Sequence, residues 1–159
     1  MTGKNPRFIL DSHLGKLARY LRLLGFDTLY DRHVTDRQIV DEIKKSRRIV
    51  LTRDIGLLKN KTIVKGYWVR EVIPLRQLRE IVSQFALSKK KKPFHVCLAC
   101  NGKIIAVKKE KVIPYLKSDT LKYFREFVMC ANCKKIYWQG SHYDKLLTVV
   151  KSLKMNKRD

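Results

Sequence analysis

The sequence predicts an α/β protein: a parallel sheet covered by helices, then a small cysteine-bearing ribbon and a C-terminal helix. Three observations predict it. Short β-rich runs alternate with helical stripes over residues 1–88. Four successive lysines closing on Pro93 then interrupt the pattern. Beyond them, two Cys-x-x-Cys pairs bracket short strand-like stretches.

The elements follow in order. Phe8-Ile9-Leu10 suits a short buried strand. Asp11 or Ser12 can cap a helix whose apolar residues Leu14, Leu17, Ala18, Leu21 and Leu24 form one stripe, and Gly25 ends it. Phe26–Tyr30 is a second strand. Thr35-Asp36-Arg37-Gln38 has the form of a capping box, opening a helix with Ile39, Val40 and Ile43 inward. Ile49–Thr52 is the most β-branched strand. Thr62-Ile63-Val64 reads as a fourth, with Tyr67–Val72 extending the sheet. Pro74 starts a helix with Leu75, Leu78, Ile81 and Val82 on one side. Residues 1–88 thus form the α/β domain, 89–93 a basic linker, and 94–159 the ribbon with its last helix and tail. In that final part, Lys103–Lys108 and Lys135–Trp138 read as strands. The last helix starts at Ser141, with Tyr143, Leu146, Leu147, Val150 and Leu153 apolar, and Lys154–Asp159 reads as a basic tail.

Charge narrows the partners. Lys and Arg number 36 against 14 Asp and Glu, a formal +22 over 159 residues. Residues 1–88 carry 18 basic and 9 acidic side chains, net +9; residues 89–159 carry 18 and 5, net +13. Such a field attracts polyanions, and nucleic acid fits best because each neutralised phosphate releases counterions. An anionic membrane surface fits less well, since no long stretch joins a basic face to a large apolar one. No apolar run is long enough to span a bilayer, and Met1–Arg7 is polar rather than signal-like. These features predict a soluble, cytoplasmic protein; oligomeric state is left open.

The cysteines are the most specific signal. Cys97 and Cys100 form one pair, Cys130 and Cys133 the other, with 29 residues between. Two such knuckles deliver four thiolates to one tetrahedral zinc ion, and four thiolates leave no position open for substrate, so the zinc is structural. Disulfides or redox pairs are the alternative, which a cytosolic setting disfavours. His95 and His142 lie near the knuckles as surface or stacking residues.

The carboxylates are more ambiguous. Ligands of open parallel sheets bind at the carboxyl ends of the strands. Asp11 directly follows the first strand, Asp54 lies two residues beyond Thr52, and Asp36 opens the helix between the second and third strands. Together they could hold Mg²⁺ or Mn²⁺ for phosphodiester hydrolysis. Equally, Asp11 and Asp54 could be helix caps and Asp36 a partner of its helix dipole. Asp31 is a weaker candidate for the same crevice. Lys16, Arg19 and Arg22 recur at spacing three and, with Arg53, could form a phosphate-steering rim; a solvated helix face is the alternative. Asp11-Ser12-His13-Leu14-Gly15 lacks a dinucleotide-binding glycine pattern, and no Walker loop is present.

The stretch from Phe8 to Tyr30, including Phe-Ile-Leu-Asp-Ser-His-Leu-Gly-Lys-Leu-Ala-Arg, resembles the opening of the Mut-seven C-terminal ribonuclease domain family. So does Arg48-Ile49-Val50-Leu51-Thr52-Arg53-Asp54. Cys97-Leu98-Ala99-Cys100-Asn101 and Cys130-Ala131-Asn132-Cys133, with Ile136–Tyr143 after them, are similar to that family's zinc ribbon. The resemblance covers residues 7 to about 150. It implies a PIN-like nuclease fold whose acids bind a catalytic metal, here at Asp11, Asp36 and Asp54, where such nucleases more typically present four. The combined reading is an RNA-binding, metal-dependent endoribonuclease. Lys16, Arg19, Arg22, Arg53 and Lys89, Lys90, Lys91 and Lys92 would contact phosphate. Tyr137, Trp138, His142 and Tyr143 could stack on bases, with Trp138 equally suited to packed core. The alternatives are a non-catalytic factor binding ribosomal RNA or the ribosome, and a zinc-ribbon DNA-binding regulator.

Overall fold

The computed structural model describes residues 4–153. Four parallel strands, β1 (Phe8–Leu10), β2 (Thr28–Tyr30), β3 (Ile49–Thr52) and β4 (Gly66–Trp68), lie in the order β2-β1-β3-β4. Phe8 pairs with Thr28 on one side and Ile49 on the other; Leu10 likewise faces Tyr30 and Leu51. Strand residues alternate between faces, so the sheet buries two separate apolar layers. Phe8, Leu10 and Leu51 pack with α1 (Gly15–Leu23) and α4 (Pro74–Gln84). Ile9 and Val50 pack with Ile39 of α2 (Asp36–Lys45) and Leu57 of α3 (Ile55–Leu58). Helices on both faces explain why β1 is apolar throughout and β3 is apolar from Ile49 to Leu51.

Local chemistry sets the ends of the elements. Thr35 and Gln38 form the expected capping box, with reciprocal bonds of 3.3 and 2.8 Å. Gly25 ends α1 at φ +89°, a conformation that favours glycine. The strand expected at Thr62–Val64 is instead a turn built on Asn60, whose side chain accepts from the Thr62 N–H. β4 forms two residues later, where the chain first pairs with β3. The helix expected from Asp11 or Ser12 starts at Gly15, with no side-chain cap.

The basic segment 89–93 is fastened to the first half. Leu87 is fully buried, the Lys92 N–H donates to Leu24 at 2.8 Å, and the Phe94 N–H donates to Leu23 at 3.0 Å. Three antiparallel strands follow in the order β5-β6-β7: β5 (Ile104–Val107), β6 (Phe127–Cys130) and β7 (Ile136–Tyr137). Two short helices that no sequence pattern announced, α5 (Lys109–Val112) and α6 (Ser118–Tyr123), fill the β5–β6 connection. The last helix, α7 (Ser141–Ser152), returns to the first half, where Val150 and Leu153 join the α1–α4 core layer. The basic tail at 154–159 lies outside the described residues. Among those described, no helix is long and apolar enough to cross a membrane.

Candidate functional site

The sheet's winding creates the first candidate location. From β1 the chain moves outward to β2, then crosses back past β1 to β3. The direction of winding therefore reverses between β1 and β3, and the carboxyl ends of strands at such a reversal are where open α/β sheets bind ligands. Asp11 and Asp54 follow those two strands.

Asp11 is 7% exposed and is not a helix cap. Its Oδ1 accepts from the Ser12 N–H at 2.6 Å and the Ser12 hydroxyl at 3.3 Å. Its Oδ2 accepts from the Thr52 hydroxyl at 2.9 Å. A buried carboxylate needs such partners to offset lost hydration. The Thr52 oxygen in turn accepts from the Asp54 N–H at 2.9 Å, so one threonine ties the two strand ends together. Asp54 itself is exposed and caps α3, accepting from the Gly56 N–H at 2.7 Å. Asp36 sits exposed at the first position of α2, where a negative charge complements the helix dipole. Asp31 caps its own turn through the His33 N–H. Asp11 and Asp54 are thus joined through Thr52. Asp36 is not gathered with them: among the described residues, only the cysteines form a group of three or more such side chains close enough to share an ion.

The expected basic rim is partly dissolved. Lys16 and Arg19 are exposed on α1, and Lys89, Lys90 and Lys92 are exposed beyond α4. Arg53 is exposed, but its Nη1 donates to the carbonyls of Val69, Arg70 and Glu71 at 3.2, 2.8 and 2.6 Å. Arg22 leaves the rim altogether. It is 5% exposed, with Nε donating to Thr28 O at 2.9 Å and Nη1 to the Leu98 and Ala99 carbonyls, both at 3.1 Å. Burial lowers its pKa from the ordinary arginine value, while Cys100 and Cys97 act in the opposite direction. Its guanidinium fork joins the end of α1 to the first cysteine knuckle.

A second tie sits beside it. Asn101 adopts φ +69°, accepts from the Thr28 N–H at 2.8 Å and donates to Asp27 Oδ1 at 2.6 Å. Asp27 also receives a two-pronged bond from Arg48, at 2.7 and 3.0 Å. Burial alone would raise the Asp27 pKa, but the Arg48 and Asn101 side chains hold it below the usual carboxylate range.

The four cysteine sulfurs all lie within 4.8 Å of one another. Cys100 and Cys130 approach to 3.4 Å, Cys97 and Cys133 to 3.7 Å, so none is joined as a disulfide. Each knuckle is followed by a left-handed residue, Asn101 or Lys134, which curls the backbone around the sulfurs. The Asn132 and Cys133 N–H groups point at Cys130 Sγ, at 3.3 and 3.4 Å. The Tyr137 hydroxyl lies 3.1 Å from Cys97 Sγ. Such donors orient and steady thiolate ligands. Without a cation the crowd is unfavourable. A bond from the Lys135 backbone lowers the Cys133 pKa, yet burial and three neighbouring sulfurs push it up to about 12. Four soft donors converging this closely can hold a metal ion such as zinc.

The expected stacking residues divide. Tyr137 turns inward to the cysteines, and burial and Cys97 raise its pKa well above that of free tyrosine. Trp138 is half-buried against Phe124 and Phe127, at 6.5 and 6.4 Å. Tyr143 packs on Phe94 at 4.5 Å. His142 alone of the four is exposed.

A parallel sheet with Asp11 and Asp54 at its winding reversal, bonded to a four-cysteine module that could hold a metal ion, defines the class of α/β protein to which the chain belongs. The Mut7-C RNAse domain model matches residues 6–150, and the chain belongs to that family. Comparison with curated proteins and with solved structures yields no match. The family points to a nuclease-like function on RNA.

Proposed function

We propose that the protein is an RNA-binding, metal-dependent endoribonuclease that hydrolyses phosphodiester bonds. The observation that carries this reading is the buried Asp11 carboxylate, held by Thr52 at the winding reversal next to Asp54. A solvated or purely capping acid has no need of that position. The donor set is hard oxygen, suited to Mg²⁺ or Mn²⁺, which commonly use one or two carboxylates and complete their shell with water and substrate phosphate. When bound, such an ion lowers the pKa of water and offsets charge developing on the phosphate. Asp11 and Asp54 would supply the oxygens, and Asp36 would extend the acidic margin. The Thr52 hydroxyl would keep Asp11 from rotating away. Lys16, Arg19, Arg53 and the exposed lysines among 89–92 would hold the RNA backbone without reading sequence. The four cysteines would carry one zinc ion with a structural role.

One observation favours the rival, a non-catalytic factor on RNA such as ribosomal RNA: among the described residues, no three carboxylates gather within reach of one ion. Cleavage of a labelled single-stranded RNA with Mn²⁺ or Mg²⁺ separates the two. Asp11→Asn and Asp54→Asn keep side-chain shape but remove charge. The nuclease reading expects each to lose about a hundredfold or more in rate with the fold intact. Inactivity of the unaltered protein on every RNA tried would support the scaffold.

A further inference from the structure

Beyond β3 the chain builds a surface that the reading above does not use. Strand β4 lies at the sheet's edge and ends in Trp68, whose large ring is 41% exposed. The Arg70 guanidinium lies 5.8 Å from that ring and 5.9 Å from the ring of Tyr67. A shallow cleft alongside is lined by Arg70, Glu71, Arg76, Arg79 and Glu80. Arg76 and Arg79 are exposed at spacing three on α4 and so share one face. Among the described residues, none of these three arginines forms an ion pair.

Of the two acids in the cleft, Glu80 also has structural partners. Glu80 Oε1 accepts from the Tyr67 hydroxyl at 2.9 Å and the Arg70 N–H at 3.0 Å, and Oε2 accepts from the Glu71 N–H at 3.0 Å. It therefore clamps the loop that displays Arg70. The surface also connects to the candidate site. Arg53 binds the carbonyls of Val69, Arg70 and Glu71, and the next residue is Asp54.

We propose that this face is a binding subsite for single-stranded RNA, with Trp68 stacking on a base and Arg70, Arg76 and Arg79 holding the flanking phosphates. The proposal rests on the RNA-cleaving reading and gives the substrate its strandedness. A flat ring beside Arg70, which shares its cleft with Arg76 and Arg79, matches alternating bases and phosphates; an acidic peptide would use the cations and leave the ring idle. A duplex would keep its base faces stacked on each other, so only unpaired RNA can use Trp68.

The test uses the full chain and an oligouridine probe. Trp68 and Trp138 are the only tryptophans. Binding should quench fluorescence in the unaltered protein, and Trp68→Phe should abolish that change. Trp68→Ala should weaken binding about tenfold. Arg76→Gln with Arg79→Gln should flatten the dependence of log affinity on log salt by about 0.7 for each phosphate no longer neutralised. Since these arginines are exposed, the pair decides the matter even if Trp68→Ala fails to fold. RNA binding with no quenching and no change in the variants would overturn the subsite while leaving the nuclease reading standing. Failure to bind any RNA would overturn both. Displacement by polyglutamate of a probe that never quenches Trp68 would assign the face to acidic protein instead.

Discussion

Between Phe8 and Leu87 the protein buries two apolar layers against one sheet, including Phe8, Leu10, Leu21, Phe26 and Leu51 with no measurable exposure. Between Cys97 and Gly140 the buried apolar side chains are Val112, Phe127 and two of the cysteines. The first region can be held by apolar burial, at roughly 25 cal/mol per Å². The second is too small and too thinly packed for that, and modules of this kind draw their stability from metal. Each region also offers a different chemistry: hard carboxylate oxygens in the first, soft sulfurs in the second. On the proposed function, catalysis would fall to the sheet and mechanical support to the ribbon.

The largest effect should come from the thiolates. Removing metal with a chelator, or replacing Cys130 by Ser, should unfold the ribbon while the sheet keeps its helical and strand signals. A structural zinc contributes about 10–16 kcal/mol in small modules. Two-dimensional NMR would resolve the two regions: loss of dispersed signals over residues 97–140 alone is the expected result. Simultaneous collapse of both would show that the regions stand or fall together.

Arg22 sharpens the comparison because it belongs to both regions. Arg22→Met retains length and apolar stem but leaves the Thr28, Leu98 and Ala99 carbonyls without their shared donor. A loss of about 3 kcal/mol is expected by denaturant unfolding. Arg22→Lys should recover little, since an ammonium lacks the planar fork. A change below about 0.5 kcal/mol would mean that the joint is held elsewhere.

A smaller effect is expected at Asp27. Its pKa is depressed in the folded protein, so its contribution is complete above the ordinary carboxylate range and is lost as pH falls through the lower folded value. Arg48 and Asn101 should then lose their hold on β2, and the ribbon should loosen in acid. Because Asp27 is partly exposed, solvent screening limits the size of the effect. Hydrogen exchange at Thr28, compared between the unaltered protein and Asp27→Asn over mildly to strongly acid pH, would measure it. An identical pH profile in both would remove Asp27 from the joint.

What was legible in the sequence was what local spacing controls. β3 lies at Ile49–Thr52 as its β-branched run requires, and Thr35–Gln38 caps α2 because a capping box needs only four neighbouring residues. The cysteine group was legible because knuckle spacing is itself the geometry of the site. Contacts between distant residues were not. Arg22 looked like one of three surface cations at spacing three, but the Thr28 carbonyl and the knuckle 76 residues away turn it inward. Tyr137 looked like a stacking ring, yet its hydroxyl lies by Cys97. Thr52, which joins Asp11 to Asp54, carried no signal beyond being the end of a strand. Helices α5 and α6 are too short for periodicity to reveal.

The division between soft and hard donors is tested most directly by counting both metals on the same samples. Elemental analysis of protein purified without chelators should give one zinc per chain, both in the unaltered protein and in Asp11→Asn. A manganese titration followed by electron paramagnetic resonance should then show a second, weaker site in the unaltered protein that Asp11→Asn lacks. Equal manganese binding by the two proteins, or loss of zinc on substituting Asp11, would contradict the assignment of the carboxylates to catalysis and the cysteines to support.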